Sequence, residues 1–135
     1  MSTNAQPLAL QQWEPPELTK PDALKPGPID ARGADWRGQA LPALDLTKAK
    51  LCRSDLRGSD LSQCNLDGTD LRLARYDAAT RWPENFNHCE SGAVGPGARL
   101  SGVYLNNADL RGMDLRGSVL MGTYLSGSDL SGAIL

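Results

Sequence analysis

An all-β solenoid is the fold class this sequence predicts, and three observations carry the prediction. Leucine recurs at every fifth position over long runs, small side chains stand two positions before it, and glycine commonly closes the unit two positions after it. A period of five belongs neither to an α-helix nor to the simple alternation of a strand, so the chain must turn once per unit.

The leucines are the first element of the case. Leu41, Leu46, Leu51, Leu56, Leu61, Leu66 and Leu71 form one unbroken run, with Trp36 before it and Tyr76 after it in the same register. Leu100, Leu105, Leu110, Leu115, Leu120, Leu125, Leu130 and Leu135 form a second. Leucine occupies roughly one position in ten as a background, so chance does not produce such runs. Two positions earlier stand small or modest side chains such as Ala49, Ser54, Ser59, Cys64, Thr69, Ala74, Ala98, Ala108 and Ser128, and one position earlier the residue is usually polar, often aspartate. The consensus is literal at Ala108-Asp109-Leu110-Arg111-Gly112. This pattern resembles the pentapeptide-repeat family over roughly two thirds of the chain. The resemblance implies a right-handed four-sided parallel β-helix, here of about four coils.

Physical reasoning agrees with that implication. One large and one small side chain two residues apart point to the same face of an extended backbone, and a glycine-tolerant corner turns the chain before the next unit. Four units close a twenty-residue coil, and coils stack at about 4.8 Å, so residues twenty apart become vertical neighbours. Leu41 then lies under Leu61, Leu46 under Leu66 and Leu110 under Leu130. Each buried leucine contributes about 1.5–3 kcal/mol, shared with the coils above and below. A core of leucine and small residues leaves no room for a ligand. The charges fit the register: one column reads Asp35, Asp55, Arg75, and the column two positions later reads Arg37, Arg57, Asp77, so that opposite signs flank each other across the face. Lys50 falls beneath Asp70 in another column.

Composition divides the chain. Residues 1–28 carry Pro7, Pro15, Pro16, Pro21, Pro26 and Pro28, which favour an extended segment, and Leu8, Leu10, Trp13, Leu18 and Leu24 suit a strap that caps the first coil or an arm that docks a partner. Residues 29–78 form the first part of the β-helix, 79–97 a loop insertion, and 98–135 the second part. The segment from Tyr76-Asp77 through Thr80, Trp82-Pro83 and Phe86 resembles an insertion found in some bacterial members of the family. Trp82 and Phe86 are read as anchors that pin the loop to the side of the β-helix, with an exposed recognition loop as the alternative.

Several function classes lose their support at this stage. His88 and Cys89 are adjacent, but one histidine and one cysteine lack the further ligands of a metal site. The aspartates stand at regular outward positions matched by arginine, not as a catalytic pair. We therefore expect no catalytic residues, no metal and no cofactor. A net charge of −2 gives no reason to expect nucleic acid or an anionic membrane as partner. The first residues show neither a basic region nor an apolar stretch, so the reading is cytoplasmic, and Cys52, Cys64 and Cys89 suit free thiols.

The family resemblance brings gyrase-protecting members that mimic the shape and acidity of DNA. Here residues 29–78 carry eight acidic and eight basic side chains and residues 98–135 three of each, so the rod is neutral. The expectation is a protein-interaction module of the kind common in bacteria, with a structural spacer and, behind it, the DNA mimic as alternatives. The candidate surface is Tyr104, Val119, Met121, Tyr124 and Ile134, where outward positions become apolar; a tyrosine ladder that merely stabilises the coils is the other reading. Leu120, Leu125, Leu130 and Leu135 would line an open last coil. Nothing in the sequence beyond them blocks its edge, so two copies are expected to stack end to end through it as a homodimer.

Overall fold

Each unit builds one side and one corner of a coil, and the corner shows why the pattern is what it is. In Leu56-Arg57-Gly58-Ser59 the Ser59 amide donates to the Leu56 carbonyl at 3.0 Å, and Gly58 holds φ +71°, the positive value a type II turn requires at its third residue. The same closure recurs at Ser54 to Leu51, Ala74 to Leu71 and Val103 to Leu100. Where Lys48, Arg53, Leu73 and Asn107 stand at the glycine place they adopt the same left-handed conformation, at about 1–2 kcal/mol each.

The structure, a computed structural model, describes residues 28–135. The proposed strap or arm, residues 1–28, thus lies outside the described residues apart from Pro28. Stacking is parallel and runs on the expected twenty-residue register: Asp30 bridges to Lys50 and on to Asp70, Asp35 to Asp55 and on to Arg75, Asp45 to Asn65, Tyr104 to Tyr124, and Asp109 to Asp129. Each side contributes a single bridging residue, and the lone helical element among the described residues is a 3-10 turn at His88–Glu90.

The interior is a column of the repeat leucines with Trp36, Tyr76 and the small residues packed against them. Leu46, Leu51, Leu56, Leu61 and Leu100 are fully buried. Serine and threonine can stand at the small position because their hydroxyls donate to backbone carbonyls inside the stack. Ser54 bonds Leu51 and Ser59 bonds Leu56 within the same turn, while Thr69 bonds Leu46 and Thr123 bonds Leu100 one coil below, all at 2.7 Å. A buried hydroxyl so satisfied costs little compared with alanine.

The ladder is interrupted between Arg81 and Val94. Arg81 bridges to Asp60, one residue beyond the register, and Val94 bridges to Arg75, one residue short of it. The extra residue is absorbed at Asp77–Thr80, where the Asp77 carboxylate accepts from the Ala79 amide at 3.0 Å. Thr80 Oγ1 then donates to the Leu56 carbonyl at 2.8 Å, which places Thr80 in the role of a small repeat residue. The stack therefore holds two blocks of rungs, Asp30 to Val94 and Arg99 to Ile134. The Arg99 amide joins them by donating to the Cys89 carbonyl at 2.9 Å.

Candidate interaction surface

The charged face is organised within units more than between them. Wherever an aspartate stands two residues before an arginine among the described residues, the arginine reaches back across its own corner and grips the aspartate with both Nε and Nη2, as in Asp30–Arg32, Asp55–Arg57, Asp70–Arg72 and Asp109–Arg111. The same carboxylate accepts from the arginine backbone amide, as at Arg111 to Asp109, 3.2 Å. One aspartate thus caps the turn and neutralises the side chain that follows it. Arg116 holds the Asp114 carboxyl at about 2 through its side chain and then its amide. Lys50 and Asp70 are backbone neighbours, as the register requires, but the Asp70 carboxylate is bound to Arg72 at 2.7 Å. On the face of Asp35, Asp55 and Arg75 the pairing also runs vertically. Asp55 lies 2.6 Å from Arg57, 3.4 Å from Arg75 above and 3.7 Å from Arg37 below.

The second block differs. Its exposed large apolar residues are Tyr104, Val119, Met121, Tyr124, Ile134 and Leu135, and no other large apolar side chain among the described residues is so exposed. Met121 is 80% exposed and Tyr104 69%. Tyr104 and Tyr124 stand one above the other, their rings stacked at 4.4 Å with a 22° interplanar angle. In the last coil Leu120, Leu125 and Leu130 are only half-buried and Leu135 is 74% exposed, whereas Trp36, Leu41 and Leu46 of the first described coil are buried.

A family model for pentapeptide repeats matches residues 43–75 and 98–135 in eight copies. The chain belongs to the pentapeptide repeat family. Its members are right-handed quadrilateral β-helices. Among solved structures, the chain is similar to alr5209, a pentapeptide repeat protein from Nostoc PCC 7120, with 29% identity over 50% of this chain and 72% of that one and a TM-score of 0.41. HetL, a pentapeptide repeat protein involved in heterocyst differentiation regulation in the cyanobacterium Nostoc sp. strain PCC 7120, is 26% identical over 78% of this chain and 61% of its own, with a TM-score of 0.40. QnrB1, a plasmid-mediated fluoroquinolone resistance protein, is 20% identical over 78% and 59%, with a TM-score of 0.37. The chain therefore spans less than two thirds of HetL and of QnrB1. Comparison with curated proteins finds no match.

Within this pentapeptide stack the loop after Arg81 is held by an aromatic cluster. Trp82 lies between Phe86, 5.6 Å away and stacked, and His88, 5.0 Å away and parallel to within 4°. Tyr76 meets both Trp82 and His88 edge-on, at 5.5 and 5.0 Å. Trp82 and Phe86 are half-buried and pack against the core. His88 is thereby occupied in stacking, and burial pushes its pKa below the usual histidine value. No three His, Cys, Asp or Glu side chains converge on a metal position among the described residues. Cys52, Cys64 and Cys89 are free; Cys64 donates to the Pro42 carbonyl at 3.4 Å, and burial raises its thiol pKa.

Sequence reasoning missed Gly95. It occupies the leucine position of its unit, five residues before Leu100, with Ala93 two before it, and a Cβ there would fall 2.6 Å from the Tyr76 carbonyl oxygen and 2.7 Å from its ring.

Proposed function

We propose that this protein is a non-enzymatic interaction module of the cytoplasm that presents its last coils to a protein partner. The observation that carries the reading is the segregation of exposed apolar surface: among the described residues the first block exposes no large apolar side chain, while Tyr104, Val119, Met121, Tyr124 and Ile134 stand on the second. Solvated faces rarely collect aromatic and aliphatic side chains in this way, and contact sites do. Among the described residues every aspartate except Asp67 is gripped by an arginine or a hydroxyl, which leaves little free negative field and argues against imitation of nucleic acid. Affinity capture from native cells with the unmodified protein and with a Tyr104→Ser/Tyr124→Ser variant tests the surface. The variant is expected to lose a protein the parent retains, and identical captured sets would defeat the reading.

The half-covered last coil supports self-association as part of the same proposal. Leu120, Leu125 and Leu130 with the exposed Leu135 offer a second copy an apolar layer, and the coil edge offers it unpaired backbone groups. Sedimentation is expected to show a dimer that Leu130→Lys converts to monomer. A dilution-independent monomer for the unmodified chain would exclude the stacked pair.

A further inference from the structure

A cleft of about 120 Å³ opens where the two blocks of rungs meet, with Arg53, Leu73 and Arg75 on the first block and Ala108, Asp109 and Leu110 on the second. It is smaller than a drug-sized pocket and has room for roughly four waters, the space of one short aliphatic group with a charged head.

Its walls are chosen at a cost. The corner that carries Arg53 and Leu73 runs from Gly33 to Gly92 in the first block, where the Gly33 amide bonds the Cys52 carbonyl, that of Arg53 bonds Arg72 and that of Leu73 bonds Gly92, and Gly112 and Gly132 form a like corner in the second block, where the Gly112 amide bonds Ser131. All six residues have positive φ, and the two that are not glycine are the two that line the cleft. L side chains enter this region only against steric resistance. The charges around the opening are unequal in their freedom. Asp109 is clamped by Arg111 at 2.8 and 2.9 Å, and Arg75 is drawn to Asp55 at 3.4 Å. Arg53 is exposed and makes no ion pair among the described residues. One cation without a carboxylate therefore faces a small apolar floor formed by Leu73, Ala108 and Leu110.

We propose that this cleft binds a single carboxylate carried on a short branched aliphatic body, Arg53 taking the carboxylate and Leu73, Ala108 and Leu110 the aliphatic part. The carboxylate belongs to a free short-chain acid or to the last residue of a peptide, two sources with one chemistry.

Methyl-detected NMR titration of the full chain separates them. Isovalerate stands for the free acid, N-acetyl-leucine for the peptide terminus, N-acetyl-leucinamide for the same body without charge, and inorganic phosphate for charge without the body. The expected result is a saturable shift of the Leu73 and Leu110 methyls by one or both carboxylates, with a dissociation constant in the millimolar range. Arg53→Gly should weaken it at least tenfold while raising the melting midpoint by roughly 4 °C, because glycine relieves the left-handed strain. Arg53→Gln should weaken binding similarly without that gain. Equal binding of the amide, equal binding of phosphate, unchanged binding by Arg53→Gly, or no shift with either carboxylate would overturn the proposal.

Discussion

Gly95→Ala is expected to destabilise the fold by about 3 kcal/mol, at the upper end of what overpacking a close-packed interior costs. The position is the centre of a repeat unit, where leucine stands elsewhere, and it directly overlies Tyr76: the Tyr76 amide donates to the Val94 carbonyl at 2.9 Å, and the Tyr76 hydroxyl donates to the Pro96 carbonyl at 2.7 Å. The tyrosine ring takes the interior volume of both coils, so the unit above it must have no side chain. A methyl group would lie 2.6 Å from a backbone oxygen, which cannot swing aside as the end of a long side chain can. Gly102→Ala provides the control. There a Cβ meets nothing within 4 Å and the cost is the positive φ of 74° alone, about 1 kcal/mol. Equilibrium denaturation of the two variants should separate them by about 2 kcal/mol. Equal losses would mean that the Tyr76 backbone and ring give way to the added methyl and do not require a glycine above them.

Tyr76 and Gly95 also show where the sequence stops being legible. The twenty-residue register could be read because period five repeats without error from Trp36 to Tyr76 and from Leu100 to Leu135, and the bridges from Asp35 to Asp55 and from Tyr104 to Tyr124 follow it. The outward tyrosines were legible for the same reason, since the residue before each leucine points to solvent. What escaped were single-residue departures. Trp82 follows Tyr76 by six residues because the Asp77–Thr80 turn takes one more residue than its fellows. Val94-Gly95 looked like loop because a glycine stands where leucine was expected, although Ala93 and the phase of the second run mark it as repeat. The grip of each arginine on the aspartate of its own unit was also hidden, because it depends on how the corner turns the arginine back and not on which charges share a column. The cleft beside Arg53 depends in turn on the interrupted ladder, so no reading of unbroken coils could have placed it.

Asp55→Ala is the second substitution expected to cost about 3 kcal/mol, for an electrostatic reason. Its side chain is 7% exposed, receives Nε and Nη2 of Arg57 at 2.9 and 2.6 Å and the Arg57 amide at 3.3 Å, and has Arg75 and Arg37 within 3.7 Å. Removing it leaves three guanidinium groups crowded on one face and a corner without its acceptor. Asp30→Ala, where both partners of the pair with Arg32 are about half exposed, should cost far less because water screens that pair. The pH dependence of Asp55 follows from the same geometry. Burial by itself raises the carboxyl pKa, but the Arg57 side chain and amide, with Arg57 and Arg75 charge, outweigh it and hold the value below the ordinary one. A depressed folded value means that the contribution is complete above the unfolded value of about 3.9 and is lost as pH falls through the folded one. Urea denaturation should therefore show the parent and Asp55→Ala well separated from pH 5 to 7 and converging as the pH is taken far below 4. A separation that persists undiminished into strong acid would mean that the loss comes from packing, and that the arginines around Asp55 need no carboxylate to share their face.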